Sequence, residues 1–287
     1  MTVGGLRPHF PVAVAWLYAI MLVWVTVDIT SDVGPGHDAH AYWRVWQVPR
    51  SEVYATTPGY LDAFNYSPAF AQAIWPLAQL PWPVFGTLWS LGALLAFVYM
   101  LSPLGWRLAL PLVLCCAQEI VSGNIFWVLA LVVVASARPG AGPAGASWWS
   151  VVLLTKVTPA LGPLWYALRR QWPQLACSVG ATLVVVAVSA AVSPDLWRDW
   201  TAFLLDNAQG TAGVGSTALG PLAVRLPIAL ALLGWGALTD RVWTLPLAMA
   251  LATPVAGPAA FTMLAAIPRL RRPVEHREPV REPVRES

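Results

Sequence analysis

Ser31–Pro68 reads SDVGPGHDAHAYWRVWQVPRSEVYATTPGYLDAFNYSP and is the longest polar interruption in the apolar first two-thirds of the chain. It holds Asp32, Asp38, Glu52 and Asp62, the histidines His37 and His40, and a run of aromatics ending at Tyr66. Apolar segments flank it on both sides, so it is expected as a loop just outside a membrane. A solvated connector is the alternative to a site.

Composition gives the setting. The 287 residues are 57% apolar and 11% charged, with mean hydropathy +0.61. Soluble globular chains carry about a quarter charged residues, so the totals exclude an ordinary soluble domain. Seventeen tryptophans, 21 glycines and 26 prolines suit membrane helices and their interfaces. Cys115, Cys116 and Cys177 have no metal spacing, and no nucleic-acid signature is present.

Outward from the polar stretch, Pro11–Ile29 is long enough to span hydrocarbon, and Val84–Ser102 likewise. Pro68–Leu80 is short and closed by Pro81 and Pro83, which predicts an interfacial or re-entrant helix. Arg107–Val121 and Ile125–Ala137 read as two shorter spans around Ser122-Gly123-Asn124. Trp148–Leu168 is interrupted at Pro159, Leu175–Val192 and Leu219–Leu238 can span, and Val242–Ile267 breaks at Thr253–Pro258. Ser193–Thr217 is a second acidic stretch. This predicts an all-α polytopic membrane protein: one domain over residues 1–268, with about eight transmembrane or re-entrant segments. Residues 269–287, with repeated Arg-Glu-Pro-Val, read as a disordered charged tail. Lys and Arg concentrate where a cytoplasmic placement of both termini would put them, and the acidic stretches fall outside. The first helix reads as uncleaved.

Charges inside apolar segments are functional candidates because they are costly there. Lys156 precedes the Pro159 break and could hold a phosphate as a point charge; snorkelling to the interface is the alternative. Arg225 and Glu119 pose the same choice nearer segment ends. Among carboxylates, Asp38 follows Gly34-Pro35-Gly36, read as a flexible approach that lets a base meet a hydroxyl. Asp32 is the alternative base. His37-Asp38-x-His40 is a weak metal pattern without further ligands. No cofactor is required, and a divalent metal stays open.

The ordered set Asp38-x-x-x-Tyr42, Val53-Tyr54, Tyr66-Ser67-Pro68, Pro76-Leu77, Gly123-Asn124 and Lys156-x-x-Pro159 with Leu168-Arg169-Arg170-x-Trp172 resembles the family 87 glycosyltransferases. Asn207-x-Gln209 and Ser216…Gly220…Arg225 extend the likeness to about Pro254. These are polytopic enzymes of the GT-C superfamily, similar to the polyprenol-phosphate-mannose-dependent mannosyltransferases. The resemblance implies an inverting transfer of a sugar, mannose in that group, from a polyprenyl-phosphate donor to a lipid or cell-envelope glycan on the outer face. It implies Asp38 as base, Lys156 and Arg225 on the donor phosphate, and His37, Tyr42, Tyr54, Tyr66, Asn124 and Asn207 around the cavity. The family's late Ser-Pro motif, followed by Trp and His, has Thr253-Pro254 in its place, and the chain is shorter at this end. An inactive GT-C-like scaffold or lipid-glycan-binding protein is therefore a competing reading, and a small transporter is another, since interrupted helices at membrane depth are also a transporter device.

Overall fold

The computed structural model describes residues 9–156, 160–207, 220–254 and 257–271. Within them the chain is helical, with no β-strand. The expected break at Pro159, the motif residues Gln209 and Ser216, most of the tail and Arg7 lie outside the described residues.

Among the described residues, three helices are long and apolar enough to cross a membrane: 24 residues ending at Val33, 23 over Trp82–Leu104, and 21 over Trp172–Val192. At 1.5 Å per residue the shortest is about 31 Å, a full hydrocarbon thickness. Helix α1 (His9–Val33) exposes Leu17, Ile20, Trp24 and Val27. So much bare apolar surface costs about 25 cal/mol per Å² in water and nothing comparable in lipid. These helices mark a membrane protein. Hydroxyls within the spans bond their own helix, as Thr26 does to the Leu22 carbonyl and Thr182 to that of Ser178, which satisfies them without water.

The rest of the bundle is short. After α1 come α2 (His37–Arg44), α3 (Pro68–Ala78), α4 (Trp82–Leu101), α5 (Trp106–Cys115), α6 (Ala117–Ser122), α7 (Phe126–Ser136) and α8 (Gly142–Ala146). Then follow α9 (Trp149–Thr155), α10 (Gly162–Leu168), α11 (Trp172–Val192), α12 (Pro194–Asn207), α13 (Leu222–Leu238), α14 (Thr244–Ala252), α15 (Pro258–Phe261) and α16 (Ile267–Leu270). Helix α1 packs on α5 and α6, α4 on α5, α6 and α7, and α11 on α3, α8, α9 and α10. One core joins them, with Phe97, Met100, Leu129, Val133, Trp149, Met249 and Met263 fully enclosed.

Four expectations change. The polar stretch is not all loop, because it contains α2 and a 3-10 turn at Arg50–Glu52. The span predicted over Arg107–Val121 is divided at Cys116, whose φ of −90° and ψ of 7° end α5 before α6 begins. Arg269 is not part of a loose tail: its guanidinium donates to the Tyr99 carbonyl and to the Ser102 hydroxyl. Glu119 does not snorkel, being 0% exposed with Oε1 accepting from the Trp127 backbone N–H.

Ahead of both expected interruptions the described chain leaves helical geometry. Helix α9 ends at Lys156, which is extended (φ −131°, ψ 97°), and α14 ends at an extended Thr253. Arg225, 2% exposed, reaches across to the second break.

Candidate functional site

The site starts from a turn. Gly34 closes α1 in the left-handed region (φ 82°), its N–H on the Thr30 carbonyl at 2.9 Å. Gly36 (φ 74°) donates to the Val121 carbonyl at 2.7 Å, and a Cβ there would come within 2.9 Å of the Trp82 ring. The Gly-Pro-Gly read as flexible is thus a fixed corner, with glycine required for its conformation. It delivers Asp38 into the first turn of α2, where backbone N–H groups favour a carboxylate.

A second glycine brings the partner. Gly123 (φ 75°) terminates α6, and a Cβ on it would stand 2.5 Å from that of Ala39. Only a residue without a side chain lets α2 sit this close to the turn. The next residue, Asn124, accepts the Ile125 N–H at its Oδ1 (2.8 Å) and donates from Nδ2 to Asp38 Oδ2 (2.9 Å). The first bond fixes the amide orientation, so the second presents a donor to the carboxylate. Asp38 Oδ1 has no hydrogen bond among the described residues, and the side chain is 38% exposed. His37 donates from Nδ1 to the Gly34 carbonyl (3.1 Å), which leaves Nε2 turned to Asp38 Oδ2 at 3.9 Å.

Beneath lies an aromatic floor. The hydroxyls of Tyr42 and Tyr66 are 2.9 Å apart, and Tyr42 packs edge-on against Tyr66, Phe70 and Trp89. Burial pushes the Tyr42 phenol well above its ordinary range, and the neighbouring Tyr66 and Asp38 add to this, so it stays protonated. Ser67 hydrogen-bonds the Phe70 N–H as the N-cap of α3, with Pro68 at the first helical position. Its hydroxyl also donates to the Leu154 carbonyl on α9. The Tyr66-Ser67-Pro68 motif therefore starts a helix, places a phenol and ties both to the segment carrying Lys156.

Lys156 Nζ stands 4.3 Å from the Phe126 ring centroid and 5.6 Å from that of Tyr66. No carboxylate lies within ion-pair distance of it among the described residues. Glu119, behind the site, interacts electrostatically with Lys156 and Asp38. On the far rim Asp62, in the left-handed region (φ 64°), is held by His40 Nδ1 and, at 3.7 Å, by Arg44.

These groups surround one cavity of about 470 Å³. It brings together His37, Asp38, Tyr42, Tyr66, Asn124 and Lys156 of the expected residues. Four stand elsewhere. Asp32 is exposed on the last turn of α1. Tyr54 is one layer back, donating to the Tyr66 carbonyl and packing on Phe64 and Phe203; burial raises its phenol. Asn207 donates to the Phe203 carbonyl. Arg225 directs its guanidinium to the carbonyls of Gly220, Leu251, Thr253 and Pro254 at 2.8–3.0 Å, so it clamps the second break and does not line the cavity.

Sequence reasoning missed the opposite wall, Gly59–Ala63 and Asn65. Its only signal was Asp62 and Asn65 just before the Tyr66 motif. His40 bonds Asp62, and no three His, Cys, Asp or Glu side chains converge as a metal site among the described residues.

A membrane helical bundle thus places a carboxylate and an ammonium without an ion-pair partner among the described residues on one aromatic cavity. The model of glycosyltransferase family 87 matches residues 64–278, and the chain belongs to that family of glycosyltransferases. The match takes in Tyr66, Asn124, Lys156 and Arg225, while His37, Asp38 and Tyr42 precede it. No curated protein matches the chain, and no solved structure does.

Proposed function

We propose that the protein moves a sugar, mannose by the family resemblance, from a polyprenyl phosphate to a hydroxyl of a lipid or cell-envelope glycan. The observation that carries this reading is that Asp38 and Lys156 face the same cavity, one oriented by Asn124 and the other without an ion-pair partner.

Asp38 removes the proton from the acceptor hydroxyl as its oxygen attacks the anomeric carbon. The bond from that carbon to the phosphate oxygen breaks, and the charge of the departing lipid phosphate develops beside Lys156. A cation among aromatic rings is poorly solvated, so an arriving phosphate gains more from it than from a lysine in water. One displacement on one face inverts the anomeric centre. Tyr42, kept protonated, and Asn124 are hydrogen-bonding groups around the acceptor. In the membrane the chain forms about eight transmembrane or re-entrant segments. The cavity is on the outer face of the cell membrane and both termini are cytoplasmic.

The test is transfer of radiolabelled mannose from polyprenyl phosphate in isolated membranes. Label entering lipid or glycan with wild type, but not with Asp38→Asn, supports the reading. Hydrolysis or no transfer across a panel of polyprenyl-phosphate sugars would overturn it.

A further inference from the structure

A second cavity, of about 360 Å³, lies at the other end of the helices that build the first. Asn124 precedes α7 at the reaction cavity, whereas Ser136 and Ala137 at the far end of α7 line the second. Helix α9 repeats the relation, with Lys156 at one cavity and Trp149 at the other. With 11 residues in α7 the two are about 16 Å apart along its axis. The second cavity also takes Gln174 from the first turn of α11, while Gln72 on α3 bonds the Ser189 carbonyl near the opposite end of that span. It therefore sits at the membrane boundary away from the reaction cavity.

Its chemistry is specific. Arg169 donates to the Ala237 carbonyl (2.8 Å), pairs with Asp240 (3.0 Å) and lies over the Trp165 ring. Gln171 and Gln174 present side-chain amides that have no hydrogen bond among the described residues. Tyr166 and Trp149 close the wall, and Gly162 admits Trp149 because a Cβ there would fall 2.0 Å from the indole.

An anion would meet the Asp240 carboxylate next to a guanidinium that already has two partners. An apolar guest would strip water from two carboxamides without replacing its hydrogen bonds. A ligand rich in hydroxyls meets both needs, because the two amides and the ion pair can donate to it and accept from it. The volume is at the small end for ligand sites. Leu164, Leu168, Trp172 and Leu238, all exposed, border the region with a lipid-facing surface.

We propose that this cavity is a second binding site for a neutral sugar headgroup, separate from the reaction cavity and on the other side of the bundle. The proposal stands apart from the assignment of the transfer reaction, because binding is read without turnover.

The experiment is equilibrium binding of tritiated methyl glucoside, methyl mannoside and octyl glucoside, the last below its micelle threshold, to the full chain in amphipol. Saturable binding should fall at least tenfold in Gln171→Leu/Gln174→Leu, whose half-exposed sites permit folding, and in Asp240→Asn. It should persist in Asp38→Asn. Octyl glucoside binding well above the methyl glycosides identifies a lipid headgroup, and equal binding identifies a free sugar; both support the site. Absence of saturable binding, binding indifferent to the glutamine changes, or binding lost with Asp38→Asn would each overturn it.

Discussion

Asn124 Nδ2 donates to Asp38 Oδ2 at 2.9 Å across 86 residues of sequence, and the Asn124 amide is itself fixed by the Ile125 N–H. Asp38 is thus held at one oxygen and free at the other. Asp38→Asn keeps shape but not basicity and is expected to lower transfer by about 10²–10⁴. Asp32→Asn, on the exposed end of α1, is expected to be nearly silent; a loss there with Asp38→Asn retained would move the base to Asp32.

Asn124→Asp puts a second carboxylate where the donor was. Two like charges repel where a hydrogen bond had held the carboxylate, so Asp38 loses its orientation. Transfer should fall steeply in Asn124→Asp, and by a smaller factor in Asn124→Ala, which removes the donor without adding a charge. Wild-type rates in both variants would separate Asn124 from the base.

Lys156→Met keeps the aliphatic packing and removes the charge. A charge-assisted contact of about 1.5–3 kcal/mol corresponds to a ten- to hundredfold rise in donor KM, with acceptor KM little changed. Equal effects on both substrates would mean that Lys156 does not distinguish the phosphate-bearing one.

Arg225→Lys is expected to behave as a stability change. One ammonium cannot reach four carbonyls, and each buried acceptor left without a donor costs about 1–3 kcal/mol. Thermal unfolding in detergent should shift down while donor KM of the folded fraction holds. A selective donor KM effect with unchanged Tm would instead return Arg225 to the substrate.

Gly123→Ala adds a methyl 2.5 Å from the Ala39 Cβ and forces a left-handed conformation costing about 1–2 kcal/mol. Helix α2 must move, so kcat should fall more than donor binding, which rests on Lys156 from another helix. Wild-type kcat in a stably folded variant would show that this close approach is dispensable.

Much of this architecture was legible in the chain. The apolar runs, the departure from helix at Thr253-Pro254 and six residues that line the cavity could be read from composition and motif. Helix α2 could not, because it is short and held from outside: Trp43, Trp46 and Gln47 donate to the carbonyls of Leu80, Ala71 and Ala78. The surroundings of Arg225 were not legible, since a buried cation looks alike in sequence whether it awaits a phosphate or binds backbone carbonyls. Asp62 was passed over because its place on the rim depends on His40 and Arg44, which only the folded chain brings to it.

Ile29 and Val33 line the reaction cavity from α1, and Trp24 and Val27 of the same helix are bare on the outside. The barrier between cavity and surrounding lipid is there a single helix thick. The lipid-linked donor proposed above, anchored by its own hydrocarbon tail, would then meet the enzyme by sideways diffusion in two dimensions. Its encounter rate is governed by its surface density in the leaflet, so dilution of the aqueous phase would leave turnover unaltered while dilution with inert lipid would slow it.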